Sequence, residues 1–233
     1  MVRYIIVLLL LIGFGAMLYP LVVEFQSPEK LPEVASVYAR QGPGEVGAAN
    51  LVTAVVVTYR GLDTLGEVTI LFLSAAIVAF MLKMAQENKQ SRTFHPVSEI
   101  LQTGSKVLTP AVFLLGVYVF IHGHLTPGGG FQGGAILASG FVLMLLAKPD
   151  LRWNKNLIHT VESISGFAFV FIGILGIIYA GGFLDNSLLA LGTFGTVLSA
   201  GAIPLIYLFI GLKVGAELAS IVGNLQESQN QTV

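Results

Sequence analysis

Residues 122–134, with the sequence HGHLTPGGGFQGG, combine histidines and glycines, residue types that can bind metals and phosphates. A phosphate-binding P-loop requires the pattern G-x-x-x-x-G-K-[ST], and no lysine, serine or threonine stands at the required position here. The dinucleotide pattern G-x-G-x-x-G fits Gly128, Gly130 and Gly133, but long apolar stretches flank it in place of a β-strand and its helix. The segment therefore gives little support for nucleotide binding.

His122 and His124 are the other candidates for chemistry in this segment. Positions two apart lie on nearly opposite sides of a helix, so the pair can share a metal ion only where the helix has unwound. No further histidine or carboxylate stands close by in sequence, and the chain has no cysteine to supply a thiolate. We therefore expect no metal site and no catalytic residue here, and we expect both histidines to be structural.

The glycines of this segment favour a tight corner between two helices. The three glycines from Gly128 to Gly130 permit backbone angles that are closed to other residues, and Pro127 ends the incoming helix. Gly130, Gly134 and Ala138 then repeat at four-residue spacing, which gives a face of small residues against which another helix can pack closely. The spacing alone therefore predicts a helical corner and a packing face.

Two carboxylates, Asp63 and Glu67, stand at the start of another apolar stretch. Ionisable groups at membrane depth are costly and often functional, so both are candidates for an ion route. Structural explanations compete with this one. Thr64 and Glu67 fit the capping box T-x-x-E, in which both side chains bind free backbone amides, and Asp63 can form a surface ion pair with Arg60. The sequence leaves both explanations open.

Further charged groups lie in the second half of the chain. Glu162 and His159 are three residues apart on one helix face, where they can form a proton acceptor with its partner or a polar contact to a neighbouring protein chain. Lys213 and Glu217, four residues apart, can form an ordinary salt bridge at the cytoplasmic end of the last helix. Pro204 is expected to kink that helix.

The composition indicates a membrane protein. The chain has 233 residues, of which 55% are hydrophobic and only 11% charged, whereas about a quarter of the residues of a soluble domain are charged. The formal net charge of −1 gives no support for nucleic-acid binding. We therefore expect an all-α, polytopic protein of the cell membrane, in contact with lipid.

Six apolar stretches are long enough to cross a membrane core of about 30 Å. We interpret the first as an anchor and not as a cleaved signal peptide, because it is twenty residues long and the sequence begins at Met1. A seventh run, within residues 48–60, is too short to span and predicts an interfacial or re-entrant helix. The predicted spans are Tyr4–Val23, Thr64–Met84, Lys106–Leu125, Gly130–Ala147, Leu157–Ala180 and Thr196–Val214.

The basic residues predict that both termini are cytoplasmic. With that orientation, nine of the twelve Lys and Arg residues, Lys213 among them, fall in inner segments, as the positive-inside rule expects. Along the chain we distinguish a two-span region with a long outer loop, a cytoplasmic linker, a four-span domain and a polar tail. Their bounds are residues 1–85, 86–105, 106–223 and 224–233.

Three segments carry a resemblance to a known family. GHLTPGGGFQGG (residues 123–134) and SAGAIPLIYLFIGLKVGAELA (199–219) resemble the MnhB protein, the B-type component of Mrp-type (Mnh-type) multisubunit Na+/H+ antiporters. NLVTAVVVTYRGLDTLGEVTIL (50–71) is similar to the C-terminal end of the large A-type component of the same systems. The residues that carry the MnhB signature are His124, Pro127, Gly128, Gly129, Gly130, Phe131, Gly133 and Gly134.

The sequence also departs from the family pattern. Leu62 stands where the family leads us to expect Phe, Ala202 where we expect Thr, and Tyr207 where we expect Asn. The last two changes remove polar groups from the final span and argue against a direct ion-ligand role for that helix.

The resemblance implies a subunit of a cation/proton antiport module, without a catalytic centre or cofactor of its own, that packs against sibling subunits. The transported ions would be Na+ and H+, and the partners would be A-, C-, D-, E-, F- and G-like subunits. Similar modules occur in respiratory complexes with hydrogenase-like or reductase-like subunits. Two alternatives stay open: the redox-driven version of the module, and a purely structural scaffold. The candidates for the ion route are Asp63, Glu67, Glu162 and Lys213.

Overall fold

The computed structural model describes residues 2–23, 30–85, 97–151 and 153–230. All regular secondary structure in these ranges is helical, which confirms the predicted all-α class. A π-helical segment, Ala54–Tyr59, continues α3, and a 3-10 turn, Asn186–Leu188, precedes α8. The helices are α1 (Val2–Val23), α2 (Glu33–Val46), α3 (Leu51–Thr53), α4 (Gly61–Ala85), α5 (Glu99–Ile121), α6 (Gly130–Ala147), α7 (Lys155–Tyr179) and α8 (Ile203–Asn230).

Six helices of the described ranges are long and apolar enough to cross a membrane, as predicted. The orientation of the termini stays a prediction. The last span differs most from its predicted position, since the helix begins at Ile203 and not at Thr196. The observed spans are Tyr4–Val23, Gly61–Leu82, Glu99–Ile121, Gly130–Ala147, Lys155–Tyr179 and Ile203–Gln226.

The chain divides into two compact units, Met1–Val37 and Tyr38–Val233. In the first unit, every side chain of α1 from Tyr4 to Val23 is exposed. Its apolar surface suits a lipid or protein environment and not water.

Helix α8 is the centre of the second unit. It packs against α4, α5, α6 and α7, and half of its most apolar window is buried. The core around it includes Ile203, Ile206, Ile210 and, from α7, Phe169. The last helix is therefore surrounded by the other helices of this unit and is not an outer, lipid-facing span.

The glycine face of α6 packs inside this chain. A Cβ at Gly134 would lie 2.8 Å from the carbonyl oxygen of Gly211, and one at Gly130 would lie 2.6 Å from Ile210. Gly133 faces α5 in the same way, 2.7 Å from the carbonyl oxygen of Gly116. The packing face is confirmed, but it is used by α8 and α5 and not by a sibling protein.

Several segments that were predicted to lie outside the spans are partly helical. The segment 24–47, predicted as an outer loop, contains the 14-residue helix α2. Helix α5 begins at Glu99, within the predicted linker 86–105, of which residues 86–96 lie outside the described ranges. Helix α8 continues to Asn230, through most of the predicted polar tail.

The predicted kink at Pro204 is also absent. Pro204 is the second residue of α8, in the first turn, where a missing N–H breaks no helical hydrogen bond. The preceding chain is not helical, because Ala200 and Gly201 have left-handed backbone angles, with φ of 62° and 59°. A Cβ at Gly201 would collide with the carbonyl oxygen of Asn186, so only glycine fits there.

Candidate functional site

Two regions of the second unit combine sequence-predicted site residues with buried polar groups. The first is residues 122–134, which we call the glycine corner. Helix α5 ends at Ile121, six residues before Pro127, so the proline does not itself end the helix. Gly129, with φ 152° and ψ −177°, occupies a backbone region that is almost exclusive to glycine.

Residues 50–53, at the start of the short helical segment, form hydrogen bonds with this corner. The side-chain amide of Asn50 donates to the carbonyl oxygens of Gly123, at 2.8 Å, and Thr126, at 3.0 Å. The Thr53 hydroxyl donates to the same Gly123 oxygen, at 2.7 Å, and itself accepts a 2.9 Å hydrogen bond from the Tyr207 hydroxyl of α8. These bonds replace the backbone partners that the corner lacks, so the arrangement is structural.

The two histidines of the corner have separate environments. His124 is fully buried, and its Nε2 lies 3.2 Å from the carbonyl oxygen of Thr196. Burial lowers the pKa of His124, although the Thr196 carbonyl opposes this effect. His122 stacks on Tyr118, with ring centroids 4.2 Å apart. In the described ranges no three His, Cys, Asp or Glu side chains are grouped to hold a metal.

The second region is a group of four side chains, His159, Glu162, Lys213 and Glu217, which we call the charged cluster. Lys213 Nζ and Glu217 Oε2 are 3.1 Å apart, and the side chains are only 9% and 1% exposed. Both lie well inside the span Ile203–Gln226. The predicted pairing of Lys213 with Glu217 is confirmed, but the pair is buried within the span and does not lie at its end as predicted.

Two neighbouring helices make room for the lysine. Its ammonium group lies 5.1 Å from the ring centroid of Phe72 on α4, which favours a cation. Its methylene stem passes over Gly166 of α7, where a Cβ would lie 3.3 Å from Lys213 Cδ. The position of the charge thus depends on α4, α7 and α8 together.

Glu162 and His159 complete the cluster from α7. His159 Nδ1 and Glu162 Oε2 are 3.5 Å apart, and the carboxylate side chain is 15% exposed whereas the histidine is 58% exposed. Glu217 Oε1 is buried and has no hydrogen-bond partner in the described chain. A cavity of about 290 Å³ adjoins these groups. It is lined by Phe72, Ala75, Ala76, His159, Glu162, Ser163, Glu217, Ser220, Ile221 and Asn224.

The other two ion-route candidates lie elsewhere. Asp63 pairs with Arg60 at 2.5 Å, with both side chains more than half exposed, as the surface explanation predicted. Glu67 is exposed on α4. The predicted capping box is wrong, because α4 begins at Gly61 and the Thr64 hydroxyl donates instead to the carbonyl oxygen of Val56, at 2.6 Å. Neither carboxylate lines the cavity.

Sequence reasoning proposed Glu162 and Lys213 as site residues but left out Glu217, the most buried of the four. The signal was present in the sequence. The stretch AELASIVG, residues 216–223, continues the apolar pattern beyond the predicted end of the span, so that Lys213 and Glu217 fall within the apolar helix and not at its end.

Comparison with known proteins agrees with this architecture. Residues 100–220 match the family described as a domain related to the MnhB subunit of Na+/H+ antiporters. Residues 3–104 match the MbhE family, described as the E-type component of MBH. The two matches divide the chain near the start of α5. All four side chains of the charged cluster lie in the MnhB-related part, whereas α4, which contacts the cluster, lies in the MbhE-related part.

Curated relatives include antiporter components. An uncharacterized protein of Methanocaldococcus jannaschii is 30% identical over 195 residues, 73% of this chain and 74% of its own length. The B-type component of a Na(+)/H(+) antiporter of Bacillus subtilis is 40% identical over 81 residues, 35% of this chain. The A/B-type component of a probable K(+)/H(+) antiporter of Rhizobium meliloti is 30% identical over 64% of this chain. The chain spans 51% of the Bacillus protein and 17% of the Rhizobium protein.

Two solved structures have the same fold. A chain of the membrane-bound sulfane sulfur reductase, an archaeal respiratory membrane complex, has a TM-score of 0.77 and 38% identity, and the alignment covers 97% of this chain and 98% of that one. A chain of the Mrp complex from Dietzia has a TM-score of 0.75 at 22% identity, over 99% of this chain and 26% of that one. With its six apolar helices and these matches, the chain is a multi-pass membrane protein that belongs to the MnhB-related family of Na+/H+ antiporter subunits.

Proposed function

We propose that this chain is a membrane subunit of an Mrp-type antiport module that exchanges a monovalent cation, Na+, for H+. It has no catalytic centre of its own, packs against sibling subunits, and contributes charged groups to the ion route. The observation that carries the proposal is the Lys213–Glu217 pair, almost fully buried inside a membrane span beside a cavity.

The energetic cost of this pair supports a functional role. Burying an ion pair often contributes nothing to stability relative to apolar residues of the same volume, and intramembrane ionisable groups commonly mark ion pathways. The Glu217 oxygen without a partner adds a further cost. Such an arrangement suits charge movement better than it suits packing.

The family resemblance and the curated relatives support the antiport chemistry. We retain Asp63 and Glu67 as ion-route candidates, because both are exposed on the surface of this chain. A sibling protein that contacts them would continue the route. The scaffold alternative explains the glycine faces, but it gives no reason for the charged cluster.

The test is Na+-driven proton movement in vesicles that contain the whole complex. We expect Glu217→Gln to slow proton movement, because the amide cannot carry the charge or the proton. Glu99→Gln, which changes an exposed glutamate at the start of α5, is the matched control. Normal transport by a normally assembled Glu217→Gln complex would contradict the proposal and leave the scaffold role.

A specific observation favours a redox-driven parent complex. The sulfane sulfur reductase chain matches this one over almost the whole length of both, whereas this chain spans only 26% of the Mrp complex chain, 51% of the Bacillus protein and 17% of the Rhizobium protein. We propose accordingly that partners of the reductase or hydrogenase kind accompany the module. Co-purification from native membranes tests this: subunits with iron–sulfur clusters are expected, and a complex of antiporter subunits alone would contradict it.

A further inference from the structure

The charged cluster is not neutral. Lys213 compensates one of the two carboxylates, Glu217, through a 3.1 Å contact. Glu162 has no cation beside it in the described ranges other than His159, which is charged only when protonated. The lining residues that α4 contributes, Phe72, Ala75 and Ala76, carry no charge. With His159 neutral, the cluster therefore has one uncompensated negative charge inside the helical bundle.

The cavity offers this charge a place for a counter-ion. Glu217 is 1% exposed and lines the cavity, and its Oε1 has no hydrogen-bond partner in the described chain. Ser163, Ser220 and Asn224 add neutral side-chain oxygens to the lining. Oxygen donors of this kind are the ligands that hard cations prefer.

The volume of the cavity and the net charge of the cluster restrict the class of ligand that can bind. About 10–15 Å³ of such space is enough for a water molecule, so a cavity of about 290 Å³ admits an ion together with several waters. A single positive charge balances the cluster, whereas a divalent ion would leave it positive. The two carboxylates exclude an anion.

We propose that the cavity between α4, α7 and α8 binds one partly hydrated monovalent cation of the size of Na+, held by the carboxylates of Glu162 and Glu217. Lys213 stays outside this site, where Phe72 and Glu217 hold its ammonium group. His159, when protonated, pairs with Glu162 and displaces the cation. This inference rests on the proposed function. It adds a position inside this chain where the cation binds, and a proton on His159 as the competitor that displaces it.

The experiment is equilibrium binding of radioactive Na+ to the purified intact complex in nanodiscs, with choline chloride holding the ionic strength constant. Glu162→Gln and Glu217→Gln are each expected to weaken one class of Na+ sites by about tenfold or more. Glu99→Gln, an exposed carboxylate outside the cavity, is expected to bind as the unchanged complex does. Unchanged Na+ binding in an assembled Glu162→Gln complex would overturn the proposal, and this variant also serves where Glu217→Gln prevents assembly.

The role of His159 has its own readout. Because a proton on His159 would compete with the cation for Glu162, Na+ binding at this site is expected to weaken as the proton concentration rises. His159→Gln is expected to keep the binding and remove its pH dependence. Retention of the full pH dependence in His159→Gln would overturn the displacement by this histidine.

Binding and transport together separate this proposal from the proposed function. If Glu162→Gln loses Na+ binding but transport stays normal, the cation site exists and the proposed function fails. If Glu217→Gln slows transport while Na+ binding is unchanged, the pair serves the route without a cation site, and the present proposal fails.

Discussion

The glycine corner and the charged cluster both bury polar groups in an apolar helical bundle, but they satisfy them differently. At the corner, Asn50 and Thr53 donate hydrogen bonds to backbone carbonyl oxygens of the turn, and Tyr207 donates to the Thr53 hydroxyl. In the charged cluster, one Glu217 oxygen has no partner within the described ranges, and a cavity stands beside it. Each region nevertheless lies against the same helix, α8.

In the described ranges the corner also contains one buried atom without a hydrogen-bond partner, His124 Nδ1. The two regions therefore differ mainly in charge, because uncharged Asn, Thr and Tyr side chains form the corner network, whereas the charged cluster buries an ion pair. A satisfied network rigidifies the fold, and an unsatisfied group in a low-dielectric interior costs free energy that packing alone does not return. We therefore expect substitutions at the corner to act on stability, and substitutions in the charged cluster to act on both stability and ion movement.

The largest effect on stability is expected from removing one partner of the buried Lys213–Glu217 pair. Lys213→Met leaves Glu217 charged and almost fully buried without its cation, and the free energy of unfolding should fall by about 3–5 kcal/mol. The measurement is equilibrium unfolding in mixed detergent micelles. The double variant Lys213→Met/Glu217→Met is the control, because it removes both charges.

In the double variant most of the lost stability should return, while ion movement stays impaired. That outcome would show that the buried charges serve ion movement and are not required for stability, in contrast to the polar groups of the corner. A double variant with normal transport would contradict the comparison.

A somewhat smaller loss is expected from filling the packing face. In Gly134→Ala the new Cβ would lie 2.8 Å from both the carbonyl oxygen of Gly211 and Val214 Cβ. A backbone oxygen cannot move aside as a flexible side chain can, so about 1–3 kcal/mol of stability should be lost. Gly104→Ala is the matched control, because nothing lies within 4 Å of a Cβ at that helical glycine. Equal effects of the two changes would show that α6 and α8 are less tightly packed than described.

The corner could largely be predicted from the sequence. Local chemistry dictates most of it: Gly128 and Gly129 adopt angles that suit only glycine, and the repeat of Gly130 and Gly134 marks the packing face. What the sequence could not give was the partner. Small residues predict close packing but not against what, and both neighbours, α5 and α8, proved to belong to this chain.

The charged cluster was predicted only in part, because it depends on non-local contacts. Glu162 and His159 were paired correctly from their spacing on α7. The depth of Lys213 was missed because the last span was predicted as Thr196–Val214, which put Lys213 at its end, whereas the observed span is Ile203–Gln226. No local pattern indicates that Phe72, 141 positions earlier, lies against the same ammonium group.

A smaller effect tests whether the corner network is only structural. Tyr207→Phe removes the 2.9 Å hydrogen bond to Thr53 and keeps the ring. Hydrogen bonds between membrane helices contribute on average about 0.6 kcal/mol, so unfolding should become easier by about that amount and transport should not change. Tyr179→Phe, at an exposed position, is the control and should alter neither property. A loss of transport in Tyr207→Phe would place the corner on the ion route.

The most gradual effect concerns His124 and the pH dependence of stability. Burial lowers the pKa of this histidine in the folded chain, whereas the unfolded chain keeps the ordinary value of about 6.5. Below about pH 6.5 the unfolded chain therefore binds a proton that the folded chain resists, so stability falls as the pH drops and levels off below the folded-state pKa. His124→Gln, whose amide can still donate to the Thr196 carbonyl, should flatten the fall measured by unfolding between about pH 5 and 8. His122→Gln, which keeps His124, should retain it. A fall that survives unchanged in His124→Gln would show that the buried histidine is not its source.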